Sequence, residues 1–311
     1  MSKFNLIYVN DYVKWNKFVE KSLQGSIFSN SQYLVFTEKR HVLYYVIKGN
    51  KVKAGISLIL NNSGTSCKFD DFVIYNGIMF DESVTTRFER FKLTEFIINE
   101  LIQKYNKLEM QLSPQFEDLR PFLWHNYHNS GKKFTINLRY TSYIDLSKTN
   151  TQLLKDLQQL RRRNINEAQK VGASVTIGLE IDLFLTFYRN LMLAQGNEVS
   201  DDKLFQMGYL IHKLIENKQA QMFITKNPQD EIIYIAIFCF DSKRAYYLFG
   251  AGNPKTKERY KGTITFWNAF KILKEDYGIK QIDFEGVNSP QRGWFKLGFG
   301  GSLLPYYQVI L

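Results

Sequence analysis

The chain has 311 residues, 44% of them hydrophobic and 23% charged, with a formal net charge of +11 at neutral pH. That length exceeds one ordinary core and predicts two domains, while the globular composition excludes disordered and fibrous classes. No apolar run is long enough to span a bilayer, and MSKFNLIYVNDYVKW lacks the uninterrupted apolar region of a secretory signal, so the expectation is a soluble, cytoplasmic protein.

In the first half, HVLYYVIKGN, KVKAGISLIL and FVIYNGIMF read as strands, separated by the turn residues Gly49-Asn50 and Asn61-Asn62-Ser63-Gly64. RFERFKLTEFIINELIQKYN then carries Phe88, Phe91, Leu93, Phe96, Ile97, Leu101 and Ile102 at helical spacing, and KLEMQLSP is the next strand. RYTSYIDLSKTN ends a further strand and offers Ser147, Thr149 and Asn150 as caps for one helix, TQLLKDLQQLRRRNINEAQKVG, closed by Gly172. The second half repeats the plan. AQMFITKN, EIIYIAIFCFD and RAYYLFGAGN are strands, TITFWNAFKILKEDYG is a helix, and KQIDFEG is a strand. Each half is a meander, a helix and a strand, so the expected class is α/β (α+β), with mixed, mostly antiparallel sheets flanked by helices. The expected domains are residues 1–145 and 146–311.

The positive charge implies an anionic partner. The one dense cluster is Arg161, Arg162 and Arg163, without an arginine-aromatic repeat, an RNP-type motif or a long basic tail, which favours a local phosphate site over a nucleic-acid track. Cys67 and Cys239 fall in separate halves without C-x-x-C spacing. They predict buried thiols in a reducing compartment, with no disulfide framework and no metal site.

RRRNINEAQKVGASVTI is similar to the segment "arginine, two or three residues, isoleucine, then A-x-K-x-G" of the Fem family of peptidoglycan aminoacyltransferases and their relatives in the GNAT acyltransferase superfamily. YYLFGAGN, a helix containing Trp267, IDFEGVNSP and FKLGFGG resemble the same branch in order and type. The resemblance covers residues 140 to 311 well and the first half through its shared plan. It implies two tandem GNAT-like domains, the first on the acceptor side and the second on the acyl-CoA and catalytic side, in an enzyme that transfers an acyl group to an amine.

Coenzyme A is the donor carrier that this resemblance implies. The superfamily reads Q/R-x-x-G-x-G/A at the start of the central helix, and RYKGTI supplies Arg259 and Gly262 but Ile264 in place of glycine or alanine. Asn253, Arg259, Lys261, Gly262 and Thr263 are then the cofactor-binding set, with Lys255 and Lys257 adding charge; a solvated lysine loop is the alternative. YYLFGAGN is expected to open from its neighbour and turn a backbone N–H of Phe249 or Gly250 toward the acyl carbonyl; a bulge without a ligand is the alternative.

In QIDFEG, period two puts Asp283 and Glu285 on the face opposite Ile282 and Phe284. Glu285 is the candidate base for the amine, supported by Asp283, unless either merely holds the next loop or pairs with Arg292. Gly298, Gly300 and Gly301 turn the chain after a short helix beginning at Pro290, leaving Lys296 toward the cleft, where the Fem-family lysine lies by substrate phosphates or the reacting carbonyl. Trp294 stacks on a ligand or caps the core. In the first half FDDFVIYNG offers Asp70, Asp71, Tyr75 and Asn76, and EDLRPFLWHNYH offers Arg120, Trp124 and His125, an aromatic-arginine pair suited to a nucleotide. Gln195 is a further polar candidate.

Two functions are expected from these residues. The first is an N-acyltransferase moving an acyl group from acyl-CoA to a nucleotide-linked amino sugar for surface polysaccharide. It is preferred because no long heptad-patterned helical pair is present and because of the Arg259–Gly262 loop. The alternative is a Fem-like transfer from aminoacyl-tRNA to a peptidoglycan precursor. A binding module without activity would leave Asp283, Glu285 and Lys296 as an accidental cluster.

Overall fold

The structure, a computed structural model, describes residues 4–311. The chain divides into two compact units, residues up to Tyr140 together with Pro305–Leu311, and Thr141–Leu304.

The first unit contains β1 (Phe4–Tyr8), α1 (Tyr12–Lys21), α2 (Ser31–Phe36), β2 (His41–Lys48), β3 (Lys51–Ile59), β4 (Gly77–Phe80), α3 (Arg87–Lys104), β5 (Glu109–Gln111) and α4 (Arg120–Trp124). Strands β1 to β4 form an antiparallel sheet in sequence order. Long α3 starts at Thr86, whose hydroxyl accepts a hydrogen bond from the Glu89 amide at 3.2 Å, and buries Leu93, Ile97, Ile98 and Leu101 in the core with Val46, Ile56 and Ile78, while Phe91 packs edge-on against Trp124. Phe88, expected on that face, is 73% exposed.

FVIYNGIMF is strand only over Gly77–Phe80. The residues before it bond elsewhere. The Asp70 carboxylate accepts from the Phe72 amide at 2.9 Å, and Asn76 exchanges two bonds of 2.8 Å with the backbone of Gln111. These local and longer-range bonds within the chain outcompete the β propensity of the segment.

The strand β6 (Thr135–Asp145) carries the chain into the second unit. There follow α5 (Asn150–Asp156), α6 (Gln159–Val171), β7 (Ser174–Ile177), α7 (Ile181–Ala194), α8 (Asp201–Glu216), β8 (Ala220–Lys226), β9 (Ile232–Phe240), β10 (Ala245–Gly252), α9 (Lys261–Tyr277), β11 (Gln281–Asp283), α10 (Pro290–Leu297) and β12 (Ser302–Ile310). The end of β12 returns to the first unit and pairs with β5. Within the second unit the strand order is β6-β11-β10-β9-β8-β7, antiparallel except for the parallel pair β10 and β11. Its core gathers Phe238, Phe266, Phe270, Phe284 and Phe299.

The helix expected over 151–172 is two helices, α5 and α6, because Leu157 adopts extended dihedrals (φ −64°, ψ 143°). The Gln158 amide donates to the Gly298 carbonyl at 2.9 Å, a long-range bond that replaces a helical one. Thr149 forms a complete capping box with Gln152, and Gly172 closes α6 at φ 81°. Cys67 and Cys239 are buried free thiols.

Candidate functional site

The second unit opens its sheet at one place. Parallel pairing of β10 with β11 is confined to Ala245↔Ile282 and Tyr246↔Asp283, while β10 continues along β9 to Gly252. The register with β9 shifts between Tyr247 and Phe249, a bulge that bends β10 where β11 leaves it. Gly250 lies four residues beyond the last β10–β11 pair. A side chain there would run into the Tyr247 hydroxyl and lie 3.0 Å from that of Tyr234.

Beside this opening sit the two carboxyls. Asp283 ends β11, fully buried, and accepts bonds from the Thr141 hydroxyl (2.6 Å) and the Glu285 amide (2.7 Å). Glu285 lies past the strand at φ 60°, a left-handed conformation unusual for a side-chain-bearing residue and worth roughly 1–3 kcal/mol of strain. It does not continue the alternation expected for QIDFEG. Both carboxyls are nonetheless buried, and burial pushes the Glu285 carboxyl well above the usual carboxylate range; the charge of Asp283 raises it further and Lys296 opposes the rise.

Lys296 stands on α10, started by Pro290 at its first turn. Its ammonium donates to the carbonyls of Phe284 (2.7 Å) and Gly286 (2.9 Å), tying helix to loop, and lies 5.1 Å from the centroid of the Tyr247 ring. Burial lowers its pKa to about 8, the charge of Glu285 working against that fall. The Tyr247 and Tyr234 hydroxyls approach at 3.4 Å and connect the lysine side of the site to Gly250. Sequence reading missed both tyrosines. Their signal was their place beside the glycines of YYLFGAGN and on the neighbouring strand.

The expected cofactor residues are arranged differently. Lys261 spends its ammonium on the Asn253 carbonyl (2.7 Å), the Thr256 carbonyl (3.1 Å) and the Thr256 hydroxyl (3.0 Å). The Asn253 amide group donates to Glu231 and to the Ile232 carbonyl. Both side chains fold the loop onto itself. Thr263 has no exposure, and its hydroxyl accepts from Asn164 (3.2 Å) and Arg161 (3.4 Å); Gly262 is buried against Phe295 and Tyr234. The first turn of α9 has no side-chain cap, and Gly262 and Thr263 within it are buried. Arg259, with Lys255 and Lys257, remains exposed.

Arg161 rests 4.5 Å from the Phe295 centroid and 5.8 Å from that of Phe299, and burial lowers its pKa. Trp294 is 68% exposed and does not cap the core. Gln195 ends α7 at the surface.

In the first unit Tyr75 is buried edge-on against Phe28 and Tyr306, and Asn76 is buried at Gln111, so both support the fold; Asp71 is exposed. Arg120 grips Asp118 with two bonds (2.9 and 2.6 Å) and lies 5.7 Å from the half-exposed Trp124 ring. His125 packs edge-on against Phe134, and burial lowers its pKa. No group of side chains suited to a metal ion occurs among the described residues, and no helix among them is long and apolar enough to cross a membrane.

Neither a family model nor a curated protein matches the sequence. Solved structures do match the fold. FemX superposes with a TM-score of 0.69 at 13% identity, over 97% of this chain and 96% of that one. A tandem GNAT protein from the clavulanic acid biosynthesis pathway gives 0.59 at 10% identity, over 99% and 98%. L-PGS from Bacillus licheniformis gives 0.54 at 13%, over 96% and 91%. The chain therefore has the tandem GNAT-like fold, shared with proteins of the Fem and GNAT types.

Proposed function

We propose that the chain is an acyltransferase that carries an acyl group to a primary amine, and that residues 146–311 hold its catalytic side and residues 1–145 its acceptor side. The observation that carries this reading is the buried Glu285–Lys296 pair beside the point where β10 outruns β11. The amine nitrogen attacks the acyl carbonyl carbon, forming the C–N bond. The oxyanion is met by the backbone N–H of Gly250, a contribution of roughly 3 kcal/mol for one well-placed donor. The Glu285 carboxylate takes the proton that the nitrogen sheds, the C–O or C–S bond to the carrier breaks as the carbonyl reforms, and the proton passes from Glu285 to the departing oxygen or sulfur. Lys296 fixes the Glu285 loop through its two carbonyl bonds and lowers the carboxyl's pKa.

For the donor we favour an aminoacyl ester carried on tRNA, with an amine of a peptidoglycan precursor as acceptor. The burial of Gly262 and Thr263 in the first turn of α9 supports this choice over coenzyme A. A second reading, transfer from acyl-CoA to a nucleotide-linked amino sugar, is supported by the exposed cations Lys255, Lys257 and Arg259 next to α9. Offering the purified chain aminoacyl-tRNA or acetyl-CoA with amine acceptors of both kinds tests the proposal. Transfer from tRNA alone is expected; transfer from acetyl-CoA alone replaces the donor; transfer from neither overturns the activity.

A further inference from the structure

The first unit carries a cavity of about 310 Å³ that the transfer chemistry does not use, lined by three arginines over an aromatic wall. Arg87 opens α3, Arg90 stands one turn on, and Arg120 opens α4. The wall is the stacked pair Phe80 and Phe116, with centroids 5.7 Å apart and planes at 24°.

The three cations are held unequally. Arg120 is bound by Asp118 in a two-pronged pair, which fixes the orientation of its guanidinium. Arg90 uses its Nε on the Val84 carbonyl (3.1 Å) and lies 5.8 Å from the Phe80 centroid. Neither Arg87 nor Arg90 forms an ion pair with a carboxylate among the described residues. Glu89, in the same turn, is taken by Lys53 at 3.2 Å. The remaining acid of the lining, Glu117, is exposed. The cavity is thus of small-ligand size, with two arginines outside any ion pair, though Arg87 feels the charge of Asp118, and a third pre-oriented, at the N-terminal end of α3 where the helix dipole favours negative charge.

We propose that this cavity is a binding site for a phosphate group, either on a small phosphorylated molecule or on a lipid headgroup. The phosphate oxygens accept from Arg87 and Arg90, whose planar guanidinium forks match them, while Arg120 closes the third side. The test of this site needs no turnover. Inorganic pyrophosphate titrated calorimetrically into the full chain should bind saturably. Arg87→Ala, at an exposed position, and Arg90→Ala should each weaken that binding about tenfold or more. Lys92→Ala, on the same helix but outside the cavity, should leave it unchanged. Sedimentation with phosphatidylglycerol vesicles, against phosphatidylcholine alone, distinguishes the source. Vesicle binding with the same arginine dependence places the phosphate on a lipid, and pyrophosphate binding alone places it on a free molecule. Binding unaffected by both arginine variants in folded protein, or no binding to either probe, overturns the site.

Discussion

Two side chains of opposite charge, Glu285 and Lys296, are both pushed by burial toward their neutral forms, and each partly resists the other's shift. This makes the pair's pH behaviour diagnostic. If Glu285 takes the amine proton, turnover must rise with pH through its raised pKa. Glu285→Gln keeps the shape, removes the basic oxygen and should cost about 10² to 10⁴ in turnover while abolishing that acidic limb. A limb that survives in Glu285→Gln sinks the assignment. Lys296→Met removes the nearby cation that holds the Glu285 pKa down, so the limb should move to higher pH. Stability responds separately. The folded pKa of Lys296, about 8, lies below its ordinary 10.5, so the folded state holds fewer protons between these values and stability rises with pH across them. Lys296→Met should flatten that rise, as read from Tm against pH. At this scale the sequence exposed the residue types but not the backbone. Alternation placed Asp283 and Glu285 on one face, whereas Glu285 sits outside the strand at φ 60°, a conformation that no local pattern of side chains announces.

The position of Lys296 depends on α10 lying hard against the loop before it. A Cβ on Gly293 would stand 2.5 Å from the Val287 carbonyl oxygen, and backbone cannot swing aside as a side chain does. Gly293→Ala should therefore move α10 off the loop that Lys296 ties, costing roughly 1–3 kcal/mol of stability and lowering turnover beyond the loss of folded protein. Unchanged Tm and turnover would show that the contact relaxes freely. Trp294→Ala, at an exposed neighbour, should stay within about 0.5 kcal/mol of the parent chain. Elements whose cause is local were legible in the sequence. The Thr149 cap, the Gly172 stop and the apolar face of α3 follow from side-chain chemistry and spacing. The break at Leu157 was not legible, because its cause is the Gln158 bond to Gly298, some 140 residues away. The covering of α9 has the same origin. Arg161 and Asn164 reach Thr263 from α6, and nothing in RYKGTI itself reveals that they do.

At the scale of the whole molecule, the charge of +11 reads differently for the two donors. A nucleic acid is bound through many phosphates, and releasing their counterions makes the logarithm of affinity fall with the logarithm of salt, by roughly 0.7 to 0.9 per neutralised phosphate. Coenzyme A offers few phosphates, and the exposed cations next to α9 are Lys255, Lys257 and Arg259. The favoured donor therefore predicts tRNA binding that weakens steeply between low and physiological salt. It also predicts no thermal shift with coenzyme A, although a ligand at 100 times its dissociation constant would add about 2.7 kcal/mol. A clear coenzyme A shift that disappears in Arg259→Glu would reverse the choice, because it would place the carrier at the exposed loop before α9. If such a shift persists in Arg259→Glu, the carrier binds away from α9, and tRNA affinity insensitive to salt would separately remove the polyanion from the reading.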